Sequence, residues 1–139
     1  MKIVVNKCYG GFSLSLKGQK RLAELEGKEL YFYKQTKYNF QNGIDEYIKI
    51  KDLNERSLFI YPITKDLGNK INEIPNDCWF NSRDEERDNP LLIQVVEELG
   101  EEANGDCARL QIVEIPDDVE WEIEEYDGME WVSEKHRTW

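Results

Sequence analysis

The residues best placed to do chemistry lie near the start of the chain, in Cys8-Tyr9-Gly10-Gly11-Phe12-Ser13. Paired glycines let a backbone take positive φ and approach a ligand closely. If a strand feeds a helix through this turn, free N–H groups and the helix dipole converge on one point. A phosphate or carboxylate suits such a point. Ser13 and Ser15 add hydroxyl donors and Lys7 adds a charge. A helix N-terminus there also acidifies Cys8. The plainer reading is that Gly10 and Gly11 only make the turn, with Cys8 packed as a small apolar residue. A glycine pair without a nucleotide fingerprint is a weak signal.

Other groups carry paired readings as well. Arg83, Arg87, Arg109 and Arg137 either converge on an anion, which their planar forks suit, or pair with the many surrounding carboxylates. His136 is the only histidine. It could serve Cys8 as a base, but it sits near the frayed end of the chain. Asp117, Asp118, Glu120 and Glu122 lack the grammar of a calcium loop and read as a solvated strand face. Tyr31, Phe32, Tyr33, Tyr38, Phe40, Trp121, Tyr126 and Trp131 can stack a base or fill a core. Alternation places Trp121 in the core. The candidate ligand-binding set is Lys7, Cys8, Gly10, Gly11, Ser13, Arg109 and Arg137. No catalytic residue and no metal ligand is assigned, and no cofactor is expected.

The elements that must position these groups follow from periodicity. Ile3-Val4-Val5 reads as a short buried strand. Ser13 or Ser15 caps a helix bearing Leu14, Leu22 and Leu25, and Gly27 ends it. Strands are expected at Leu30–Tyr33, Tyr47–Lys51 and Leu58–Tyr61, the last stopped by Pro62. Asn42-Gly43 marks a turn. Residues 62–77 read as a loop with one helical turn, and 82–89 as a charged linker. Asn89 or Asp88 then caps a second helix with Pro90 in its first turn. Its buried face is Leu92, Val95, Val96 and Leu99. Strands follow at Ala108–Ile115 and Trp121–Tyr126, and Asp127-Gly128 turns the chain before Met129–Val132. The pattern predicts a single compact α+β domain spanning 1–139. It has a mixed or antiparallel sheet of four to six strands and two helices on one face.

Composition bounds the partners. The chain has 139 residues and a net charge of −11. Residues 1–83 hold 14 Lys/Arg and 10 Asp/Glu, whereas 84–139 hold 4 and 19. The acidic third is rich in Trp, Tyr, Ile, Leu and Val, so it is expected to fold rather than to form a tail. An acidic molecule repels free nucleic acid, so direct nucleic-acid binding is not expected. No stretch approaches the ~20 apolar residues of a membrane span. Cys8, Cys78 and Cys107 are odd in number and form no CxxC pair, which fits a reducing cytoplasm.

Both ends of the chain resemble a family of small, uncharacterised proteins of phages and prophages of Gram-positive bacteria. The resemblance is carried by Val5–Ser15, Val95–Gly100, Ile112–Asp117, Trp121–Gly128 and Glu134-Lys135-His136-Arg137-Thr138-Trp139. The middle, roughly 28–80, carries no match. The resemblance transfers no functional residue. It implies a bacterial host cell and, by association, action against host machinery such as immunity. The expected function is therefore a non-enzymatic binder that interferes with a host factor. It would either sequester a small anionic nucleotide signal or act on a nucleic-acid-binding protein as an acidic DNA mimic. A small nucleotide hydrolase is the alternative.

Overall fold

The computed structural model describes residues 1–37, 43–56 and 59–135. Tyr38, Phe40, Asn42, Leu58, His136 and Arg137 lie outside the described residues. The elements, in order, are β1 (Lys2–Asn6), α1 (Leu16–Leu25), β2 (Tyr31–Lys37), β3 (Glu46–Ile50) and β4 (Ile60–Ile63). There follow β5 (Lys70–Ile71), α2 (Pro90–Leu99), β6 (Leu110–Glu114), β7 (Trp121–Tyr126) and β8 (Met129–Glu134). Single 3-10 turns occur at Asn76–Cys78 and Gly100–Ala103.

The class is α+β, as the pattern predicts, but the strands do not form one sheet. They divide into a β1–β6 pair, a four-stranded sheet in the order β4-β2-β3-β5, and a β7–β8 hairpin. All pairings are antiparallel. The division follows from burial. Ile3, Val4 and Val5 are all 0% exposed, so β1 is covered on both faces. A strand buried on both sides reads as a continuous apolar run rather than an alternating one. Val4 faces Leu22, Leu92 and Val95, and β8 packs along the strand.

The first and last parts of the chain thus meet. β1 pairs with β6 from Lys2↔Glu114 to Asn6↔Leu110. The helices pack on each other, and α2 also packs on β1 and β6. They do not cover the four-stranded sheet as expected. The start of α1 reaches it, where Leu16 packs with Phe32 and Ile60. That sheet carries its own core of Tyr33, Ile63, Ile74 and Cys78.

Local signals hold where chemistry is local. Ser15 caps α1 by accepting from the Gly18 N–H at 3.0 Å. Asn89 caps α2, with Pro90 in its first turn. Pro62 does not stop its strand. It lies on β4, an edge strand, where a residue without an N–H is tolerated. Trp121 is half-buried and absent from the core. Among the described residues, no helix is long and apolar enough to cross a membrane.

Candidate functional site

The glycine turn is not a helix N-terminus. Leu14 first bridges to Asn104, and α1 starts only at Leu16. The expected convergence of N–H groups and helix dipole on Gly10 and Gly11 therefore does not form. The turn is instead tied to the hairpin tip. The Gly10 N–H donates to the Asp127 carbonyl at 3.3 Å. Gly128 sits so close that a Cβ there would lie 2.3 Å from the Gly11 nitrogen.

Asn6 organises this region. It is 0% exposed. Its Nδ2 donates to the Cys8 carbonyl at 2.7 Å and to the Gly128 carbonyl at 2.8 Å. Its Oδ1 accepts from the Arg109 N–H at 2.8 Å, and its own N–H donates to Glu130 Oε1 at 2.8 Å. One side chain thus joins β1, the glycine turn, the start of β6 and the hairpin. A buried amide with its hydrogen-bonding capacity used in this way is structural.

The predicted site residues separate accordingly. Lys7 and Arg109 bond to each other through backbone, and Arg109 Nη2 also donates to the Lys7 carbonyl at 3.0 Å. Cys8 is half-buried beside them. None of these three lines the large cleft described next, whereas Gly10, Gly11 and Ser13 do. Arg87 pairs with Glu130. Cys78 is buried, and burial together with the Asp77 carboxylate pushes its thiol up. Such a thiol is inert. Asp117 pairs with the N-terminal amine at 2.6 Å. Among the described residues, no three His, Cys, Asp or Glu side chains are grouped to hold a metal.

The cleft occupies about 730 Å³. One wall is the segment from Gly10 to Leu14 with Gln19 of α1, and Asp106-Cys107 beside it. The other wall is Phe59 to Pro62 and Trp79 to Arg83. These two stretches of the second wall are held together by the Ile63↔Trp79 bridge and by the Phe80 N–H on the Pro62 carbonyl at 3.1 Å. Phe59 is 45% and Trp79 43% exposed. Phe59 has φ +62°, a left-handed conformation that is unusual for an aromatic residue. Such outliers gather at ligand sites. Trp79 meets the Tyr61 ring edge-on at 5.3 Å. Arg83 is exposed and has no carboxylate partner among the described residues.

The sequence marks Arg83 as one of four arginines but gives no reason to prefer it. Gln19, Trp79 and Ser82 carry no motif at all. They become neighbours only through pairings between distant segments, which spacing does not record. No protein-family model matches the chain, and no curated protein or solved structure is significantly similar to it.

Proposed function

We propose that the protein is a non-enzymatic binder that captures a small anionic ligand of the nucleotide class in the cleft between the glycine turn and the Trp79–Arg83 segment. The carrying observation is Arg83. In a chain with 29 Asp and Glu against 18 Lys and Arg, it lines a cleft with no carboxylate partner among the described residues. A guanidinium and exposed aromatic rings lining one cleft suit a planar, negatively charged molecule. A volume of about 730 Å³ lies within the usual range for small-molecule sites and exceeds what a lone phosphate needs.

The resemblance of the chain ends to small phage and prophage proteins supports a setting in a bacterial cell, with a host signal as the captured molecule. The cleft favours capture over DNA mimicry, because it offers a concave site rather than an elongated anionic face.

The test is a thermal-shift screen of the purified protein against nucleotides, followed by release of the bound molecule on heating. Binding to the native state must raise Tm. The reading expects a saturable rise that is lost in Arg83→Ala, and recovery of the nucleotide intact. A cleaved product would establish an enzyme instead. No shift with any nucleotide at saturating concentration would overturn the proposal.

A further inference from the structure

The outer edge of β7 is open. β7 pairs with β8 on one side, and no other described strand pairs with it. The Lys135 N–H donates to the Glu120 carbonyl at 3.0 Å. Hydrogen-bonded pairs alternate along an antiparallel ladder, so the next ones are Glu122↔Ser133, Glu124↔Trp131 and Tyr126↔Met129. The N–H and C=O groups of Trp121, Ile123 and Glu125 therefore point away from β8, and none of them makes a hydrogen bond to a described residue. Such an edge is a template for a further strand. The four-stranded sheet blunts its two edges, since β4 carries Pro62 and β5 is two residues long. β7 is six residues long and contains neither Pro nor Lys.

The side chains select what can pair there. Residues 110–134 hold 10 Asp or Glu and no Lys or Arg. Glu122, Glu124 and Tyr126 share one face of β7, and all three are exposed. The opposite face carries Trp121 and Ile123, both half-buried, and Glu125. Glu122 and Glu125 form no ion pair with a described residue. A second copy of β7 laid on this edge would set carboxylates opposite carboxylates, which is unfavourable. A strand that alternates basic and apolar residues would instead set its cations against Glu122 and Glu124, and its apolar side chains against Trp121 and Ile123. We infer that the free edge of β7 is a docking site for an extended basic segment of a partner protein, added to the hairpin as a third strand. Main-chain bonds then supply affinity and the alternating side chains supply specificity. The edge is separate from the cleft, and its use does not depend on nucleotide capture.

Calorimetric titration of the full chain with a short end-blocked peptide of alternating lysine and valine tests it. Binding should be saturable and should weaken as salt rises. Hydrogen exchange should slow at the outward amides of Trp121, Ile123 and Glu125, and change less at Glu122, Glu124 and Tyr126, which β8 already holds. A peptide with glutamate in place of lysine should bind at least about tenfold more weakly, and so should the lysine peptide methylated on every backbone nitrogen. Glu122→Lys with Glu124→Lys should reverse the preference towards the glutamate peptide, a result that a misfolded variant cannot give. Failure of the lysine peptide to bind would overturn the inference and leave the carboxylates as guards against aggregation. Equal binding of the methylated peptide would reduce the effect to charge attraction and overturn it too, as would unchanged exchange at the three outward amides. A concentration-dependent dimer of the unaltered chain that is lost in Ile123→Pro would assign the edge to a second copy instead. None of these outcomes bears on capture in the cleft.

Discussion

Arg87 and Glu130 form a two-pronged ion pair across the molecule, with Nη1 on Oε1 at 2.5 Å and Nη2 on Oε2 at 2.8 Å. Their side chains are 16% and 6% exposed. The guanidinium lies over the Phe12 ring, 3.8 Å from its centroid. Glu130 also receives the Asn6 N–H, and the Arg87 carbonyl receives the Val4 N–H at 2.8 Å. The pair therefore clamps the β7–β8 hairpin to β1 and to the glycine turn.

Removing one partner of a buried pair leaves an uncompensated charge, typically at about 3–5 kcal/mol. Arg87→Ala and Glu130→Ala should each lower unfolding free energy by about that amount. The double change Arg87→Met with Glu130→Leu should recover part of the loss, since it removes both charges and keeps the volume but leaves the buried Asn6 N–H without its acceptor. Chemical denaturation monitored by tryptophan fluorescence measures all three. Single variants within 1 kcal/mol of the parent would contradict a clamping role for the pair.

Asn6 carries a separate prediction. Asn6→Ala strips partners from the Arg109 N–H and from the carbonyls of Cys8 and Gly128 at once. Each buried group left unpaired costs about 1–3 kcal/mol. The variant should be destabilised by more than about 2 kcal/mol. In hydrogen exchange, the hairpin amides should lose protection before those of α2. Uniform loss across the molecule would mean that Asn6 does not tie the hairpin in particular.

Gly128 and Gly68 form a matched pair for a third test. Both have positive φ, +91° and +96°. A Cβ at Gly68 meets open space, whereas one at Gly128 collides with the backbone of Gly10 and Gly11. Gly68→Ala therefore reports backbone strain alone, about 1–3 kcal/mol. Gly128→Ala should cost distinctly more, because main chain must move aside. Equal losses in thermal melts would show that the hairpin tip does not press on the glycine turn.

What could be read from the sequence is what is local. Ser15 and Asn89 cap helices through bonds to residues two or three positions away, so their spacing reveals them. Leu92, Val95 and Val96 face the core because helical periodicity says so. The GG turn attracts attention by composition, yet its role is decided by Asp127 and Gly128, which lie far along the chain. The division into three sheets was illegible for the same reason. Alternation marks a strand but not its partner, and nothing near Ile3 says that both of its faces are covered. The cleft is the extreme case. Its lining is assembled from five separate stretches of chain.

Acid stability gives the last prediction. The Arg21 guanidinium, with help from Gln94, lowers the Glu98 carboxyl from the ordinary 4.5 to about 2. Asp66, Asp77, Asp117 and Glu46 are also held below the usual carboxylate range. Asp66 owes this first to Lys49, Asp77 to Lys65, Asp117 to the N-terminal amine and Glu46 to Thr36. A carboxylate with a depressed folded-state pKa stabilises the fold above its unfolded pKa. That contribution fades as pH falls through the folded value. Burial and Glu85 shift Glu26 upward, so its contribution has the opposite sign and is lost as pH rises. The net expectation is a Tm that declines as pH drops below about 4.5. Arg21→Ala isolates the largest of these shifts. The Tm gap between parent and variant should be widest near neutral pH and should close as pH falls from 4.5 towards 2. High salt should narrow the gap at every pH, because both partners are about a third exposed and screened by ions. A gap that stays constant through that pH window would mean that the pair does not titrate with folding, and that Arg21 acts through its alkyl chain alone.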